Sequence, residues 1–231
     1  MSAGDEPRAV AERYARRAVG DRYDPRRPEV RREREMRRRA LLALLARHMP
    51  RPLSALDVLE VGCGEGQNLL ELIELGFDPA RLAGSELLPE RAAAARARLP
   101  ATVKLHEGDA LALPYGAACF DLVLQYTVFS SLLDEGFRQR LAGAMWRWLR
   151  PGGAVLWYDF TVNNPTNRDV RGVPRARIAA LFPQATIDAQ RLTVAPPLAR
   201  AVCALHPSLL AVLDALPLLR THLLAWIGKP A

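Results

Sequence analysis

The feature that most constrains this chain is a cluster of glycines placed directly after a short apolar run. Leu56 to Val61 (LDVLEV) reads as a buried strand, followed by Gly62-Cys63-Gly64-Glu65-Gly66 and then by the helically spaced NLLELIEL. A strand that ends in glycines and opens a helix lets the backbone turn sharply. It also brings main-chain N–H groups and the positive end of the helix up to a ligand. The spacing is G-x-G-x-G, not the G-x-G-x-x-G that cradles a dinucleotide pyrophosphate. Glu86 lies 20 residues after Gly66 at the end of a second apolar run, RLAGSEL, where a carboxylate can accept both hydroxyls of an adenosine ribose.

The alternation continues downstream. Pro89 opens an alanine- and arginine-rich helix, TVKLH is a third strand, and Phe120 to Tyr126 is a fourth. EGFRQRLAGAMWRWL is an amphipathic helix, Pro151-Gly152-Gly153 a tight turn, and Ala154 to Phe160 the fifth strand. Strands alternating with helices predict crossover units and a mostly parallel sheet. Upstream, residues 8–48 read as helix, broken near Pro25 and Pro28. Downstream, 161–231 begins as a polar loop into a short helix, and ATIDAQRLTVAP supplies an edge strand or two. HPSLLAVLDALPLLRTHLLAWIGKP reads as an apolar helix pair punctuated by Pro217, packed on the sheet or over a pocket.

Length and composition narrow the class. A chain of 231 residues, half apolar and a quarter charged, fits one α/β domain: an Arg-rich helical cap (1–50), a ligand-binding core (51–160) and an acceptor-side segment of loop, edge strands and C-terminal helices (161–231). Three scattered cysteines make neither a disulfide framework nor a zinc site, and they suit a reducing, cytoplasmic interior. The first residues lack an apolar h-region, and no run is long enough to span a bilayer. Thirty arginines against two lysines resembles the coding bias of a GC-rich bacterial genome. Residues 1–51 carry 15 arginines against 8 carboxylates, while the remainder is balanced. Clustered arginine is the footprint of nucleic-acid binding, but here it alternates with glutamate and few aromatics interleave it, which disfavours that partner. The basic N-terminus and apolar C-terminus also permit peripheral membrane contact.

A third acidic residue, Asp109, follows the third strand in HEGDALALPY. With it, five motifs stand in order: LDVLEVGCGEG, GSELLPE, EGDALALPY, FDLVLQYTVFSSL and WRWLRPGGAVLW. They resemble the class I S-adenosylmethionine-dependent methyltransferases, over roughly residues 50–160. The resemblance implies a Rossmann-like seven-stranded, mostly parallel sheet with helices on both faces, a helical N-terminal cap and a C-terminal helical cover. It implies S-adenosyl-L-methionine as cofactor and no metal. Gly62, Gly64 and Gly66, with Cys63 as a small filler, would wrap the methionine part. Glu60 would orient that loop or hold the cofactor's amino group. Glu86 would grip the ribose and Leu87 pack on the adenine. Asp109 and the Ala110 main chain would read the adenine edge, and Gln125 would sit beside the methionine moiety.

In such a fold the acceptor lies above the ends of strands four and five, beneath the N-terminal cap. Asp159 is the first candidate for a general base there, with Tyr126 beside it. Strand four does not end in an Asn/Asp-Pro-Pro-aromatic motif, which argues against nucleobase or glutamine nitrogens, and no Pro-Cys pair exists for cytosine chemistry. The leading expectation is O-methylation of a small molecule, a sugar or a natural-product or polysaccharide intermediate. A small-molecule N-methyltransferase, an RNA methyltransferase using the basic N-terminus and a non-catalytic cofactor-binding protein are the alternatives.

Overall fold

The computed structural model describes residues 6–16, 24, 26–164, 167–206 and 208–231, and in it the apolar runs become a seven-stranded sheet. The strands are β1 (Val58–Val61), β2 (Leu82–Glu86), β3 (Lys104–Glu107), β4 (Phe120–Tyr126), β5 (Leu149–Phe160), β6 (Thr186–Val194) and β7 (Arg220–Gly228), in the order β3-β2-β1-β4-β5-β7-β6. β1 to β5 run parallel, and β7 lies antiparallel between β5 and β6. β1 and β4 are neighbours at the centre, the point where the strand order reverses and where ligands settle beyond the strand ends.

Helices cover both faces, because parallel strands are buried on both sides. α2 (Pro28–His48), α3 (Gln67–Glu74) and α4 (Pro89–Arg98) pack on one face, against Val58, Leu122, Leu124, Leu156 and Leu224. α5 (Glu135–Trp148) and α6 (Arg175–Leu181) pack on the other, against Leu59, Val123, Val155, Trp157 and Ala225. α1 (Glu6–Ala15) completes the N-terminal cap, and α7 (Pro196–Leu205) and α8 (Leu209–Asp214) connect β6 to β7. The chain between α1 and α2, where the helix was expected to break at Pro25, lies largely outside the described residues. Arg150 and Arg51 clamp Asp121 at the opposite end of the sheet, at 2.8 and 2.6 Å.

The C-terminal helical cover requires a correction. Among the described residues after β6, only α7, α8 and a short 3-10 turn at 217–219 are helical; RTHLLAWIG is β7, in the interior of the sheet. Its successive side chains enter opposite cores, Leu223, Ala225 and Ile227 on one side and Leu224 and Trp226 on the other. A strand buried on both faces is a continuous apolar run, and periodicity alone does not separate it from a buried helix.

The N-terminal arginines are largely neutralised within the fold. Arg32 pairs with Asp214, Arg37 with Glu33, Arg38 with Glu74 and Arg47 with Asp188. Among the described residues no helix is long and apolar enough to cross a membrane.

Candidate functional site

β1 ends at Val61 and the chain turns at Gly62, whose φ is +68°. A Cβ there would stand 2.5 Å from Val128 Cγ2, so both the conformation and the space demand glycine. Past this turn a cleft of about 150 Å³ opens at the carboxyl ends of β1, β2 and β4. Gly62, Glu86, Leu87, Asp109, Ala110 and Tyr126 line it, with Pro7, Val10 and Tyr14 of α1 as its roof. Of the residues expected to form the site, Glu60, Cys63, Gly64, Gly66, Gln125 and Asp159 stand behind this surface rather than on it.

Each acidic residue has a distinct environment. Glu86 accepts from the Gly64 and Leu88 N–H groups at 2.8 and 2.9 Å, which ties β2 to the glycine turn. Asp109 caps the 3-10 turn after β3 through the Leu111 N–H at 2.9 Å. Glu60 is fully buried; Oε1 accepts from Asn68 Nδ2 at 2.6 Å and Oε2 has no partner. Burial pushes its carboxyl up to about 8, against the opposing pull of Asn68 and Arg37. Gln125 accepts from the Val128 and Phe129 N–H groups through Oε1, leaving Nε2 without a partner. Cys63 is buried, and burial drives its thiol above the ordinary range, so it remains protonated.

Behind the turn lies a cluster that the motifs did not reveal. Arg37 of α2 donates to Glu33 and to Asn68 Oδ1, both at 3.2 Å, and stands over the rings of Tyr126 and Tyr158 at 5.1 and 5.3 Å. Tyr158 also meets Thr193 at 2.6 Å and stacks on His222, whose imidazole is held down to about 4 by burial and by the Arg37 charge. In sequence Arg37 is one of many arginines in a helix, with no local signal to single it out.

Asp159 is fully buried on the opposite face of β5. Its two oxygens accept from the Ser130 and Phe160 N–H groups, both at 2.9 Å, and burial raises its carboxyl to about 7. It thereby fixes the turn 127–131, in which Thr127 takes a φ of +58° beside the cleft. The roof is pinned to the same segment. Glu6 accepts from Arg13 at 2.7 Å and from the Leu133 N–H at 2.6 Å, and Arg13 donates to the Ser131 carbonyl at 2.9 Å.

The profile of a family described as methyltransferase domain matches residues 58–153, the part of the chain that builds the glycine turn and the cleft floor. Residues 58–153 are a methyltransferase domain of the class I, S-adenosylmethionine-dependent kind. It is 35% identical over 161 residues to the demethylmenaquinone methyltransferase of Deinococcus radiodurans, covering 68% of this chain and 62% of that one. It is 31% identical over 162 residues to the ubiquinone biosynthesis O-methyltransferase of Methylocella silvestris, covering 68% and 60%. The chain thus spans about three fifths of the length of these curated relatives. A solved structure of the Burkholderia thailandensis 1,6-didemethyltoxoflavin-N1-methyltransferase shares the fold, with a TM-score of 0.63 at 21% identity over 100% of this chain and 92% of that one.

S-adenosylmethionine, the cofactor of class I methyltransferases, fits the residues present. Three buried polar atoms at the carboxyl ends of β1, β4 and β2 lack protein partners: Glu60 Oε2, Gln125 Nε2 and Ser85 Oγ. A buried acceptor, an amide donor and a hydroxyl suit the ammonium, carboxylate and ribose of such a ligand. Among the described residues no group of three metal-ligating side chains occurs.

Proposed function

We propose that this protein transfers a methyl group from S-adenosylmethionine to a hydroxyl of a small molecule with an apolar, ring-bearing body. The observation that carries this reading is the wall of the cleft beyond the glycine turn. Val10, Leu132, Phe137 and Leu141 stand there beside Tyr126, a surface for an apolar ring rather than for a bare sugar. The name of one curated relative, an O-methyltransferase of ubiquinone biosynthesis, supports a hydroxyl acceptor, and that of the other, a demethylmenaquinone methyltransferase, supports an apolar, ring-bearing one.

The cofactor supplies an activated methyl, so the protein has to align the acceptor and exclude water. Glu86 grips the cofactor at the cleft surface, Glu60 and Gln125 offer it their unpartnered Oε2 and Nε2 from behind that surface, Gly62 admits it, and Leu87, Asp109 and Ala110 lie on its adenine. Tyr126 borders the acceptor, and burial raises its phenol above the ordinary range, so it orients the acceptor as a hydrogen-bond donor. Asp159 positions the turn 127–131 and does not reach the acceptor as a base.

Among the described residues no histidine lines the cleft, and its two carboxylates are engaged by main-chain N–H groups. The acceptor must therefore present its own electron pair. An acidic hydroxyl, phenolic or enolic, does so by losing its proton to water before the oxygen–methyl bond forms and the sulfur–methyl bond breaks. An unprotonated amine meets the same requirement and is the second reading.

Transfer of labelled methyl from S-adenosylmethionine to matched panels of phenols, amines and sugars tests the proposal. Labelling of the phenols is the expected result. Labelling confined to sugars would overturn it, and labelling confined to amines would favour the second reading.

A further inference from the structure

Among the described residues, large apolar side chains are exposed mainly in one place. Leu205 (79% exposed), Leu209 (40%), Val212 (61%), Leu216 (48%) and Leu218 (90%) all belong to the connection that carries α7 and α8 from β6 to β7. The inner side of this connection is anchored. Ala199 and Leu210 are buried against Val194, and Asp214 pairs with Arg32 of α2 at 2.8 Å. The outer side therefore presents leucines and a valine on a firm base, apolar exposure of the kind that marks an interaction surface.

Its surroundings are basic. Between Arg191 and Arg220 the chain carries three arginines, at 191, 200 and 220, against the single carboxylate of Asp214, which Arg32 already neutralises. Arg220 is held inward by the Arg191 and Asp214 carbonyls, while Arg191 is exposed and Arg200 half-buried. Exposed leucines on a connection that also carries these two arginines match an anionic lipid surface, into which the leucines insert while the guanidinium groups meet phosphates.

The connection also stands at the catalytic edge of the sheet. Tyr126 pairs with Tyr158, Phe160 with His222 and Val194 with Arg220. The segment between Val194 and Arg220 thus leaves the sheet at the edge where β4 ends and the cleft opens.

We propose that the outer face of α7, α8 and the turn after them docks this protein on an anionic lipid bilayer, with the catalytic edge turned toward the membrane. The inference deepens the proposed reading of an apolar-bodied acceptor, since such a molecule partitions into bilayers, but binding to lipid does not require turnover.

Flotation of the full chain with vesicles tests it. Vesicles of equal parts phosphatidylglycerol and phosphatidylcholine should carry the protein upward, and vesicles of phosphatidylcholine alone should carry much less. Leu205→Asp combined with Leu218→Asp, both at exposed positions, should lower the bound fraction roughly tenfold or more by removing inserted apolar area. Arg191→Glu with Arg200→Glu should weaken binding to the anionic vesicles without touching the apolar face. S-adenosylhomocysteine affinity, unchanged in each variant, reports that the fold and cleft are intact. The proposal is overturned if the unmodified protein stays at the bottom of the gradient, or if the double aspartate variant floats equally well. A dimer in light scattering that the same variant abolishes, with no flotation, would assign the face to a second copy instead. Failure of methyl transfer with successful flotation would overturn the acceptor reading alone.

Discussion

Asn68 holds the Glu60 carboxylate with a 2.6 Å hydrogen bond, and its amide oxygen accepts from Arg37 at 3.2 Å. One side chain thus links the N-terminal helix to the residue that precedes the glycine turn. Asn68→Ala should leave Glu60 buried without its donor and weaken S-adenosylhomocysteine binding by about 1–2 kcal/mol. Calorimetric titration reads this directly, and an unchanged affinity would break the proposed link.

The same carboxyl makes ligand binding depend on pH. Burial holds Glu60 up to about 8, with Arg37 and Asn68 pulling it down and Glu71 and Glu86 pushing it up. In the proposed function the ionised form would pair with the cofactor's ammonium, so affinity should rise as pH climbs toward about 8 and level off above it. Glu60→Gln should flatten that profile.

Asp159→Asn separates a positioning carboxylate from a base. An amide in this site turns an NH2 group toward one of the two N–H donors, from Ser130 or Phe160, and should destabilise the fold by about 1–3 kcal/mol. Because burial raises the folded pKa from 3.8 to about 7, the contribution of Asp159 is fully present at acid pH and is lost as pH rises through about 7. His222 has the opposite sign: lowered from 6.5 to about 4, it contributes above 6.5 and loses that contribution as pH falls toward 4. Urea denaturation of the protein and of Asp159→Asn across this range should show the decline between 3.8 and 7 shrink in the variant.

Gly62→Ala should abolish ligand binding more than it affects stability. The new methyl would sit 2.5 Å from Val128 in a backbone at φ +68°, a strain of roughly 1–2 kcal/mol even before Val128 moves. Equilibrium dialysis with labelled S-adenosylmethionine, beside a thermal melt, measures both effects.

Glu6→Gln should loosen the roof. The buried pair with Arg13 and the bond from the Leu133 N–H both end on Glu6 Oε1, so removing the charge leaves Arg13 poorly compensated. Limited proteolysis within residues 6–16 should accelerate, and bound ligand should dissociate faster. Identical digestion patterns would show that the roof does not depend on this pair.

The sheet was legible where sequence carries geometry. FDLVLQY became β4 with its predicted ends, and the glycine turn followed LDVLEV, because apolar runs and glycines report on backbone conformation. RTHLLAWIG was misread because its two faces both meet core, which erases the alternation that marks a strand. Arg37, Asn68 and Glu6 escaped notice for a different reason. Their significance lies in partners 31, 8 and 127 residues away, and nothing in the local pattern separates them from solvated helix residues.

The placement of β7 sets an order of assembly. β6 is made before β7 yet touches no other strand, so it has no hydrogen-bonded neighbour until Arg220 to Gly228 slots in beside it. β5 likewise waits with one edge open. During synthesis one edge of β5, both edges of β6 and an apolar connection therefore stay unpaired until β7 arrives, the interval in which such chains are most prone to aggregate. Closure of the sheet is a single late event that unites the half bearing the glycine turn with the segment beside it.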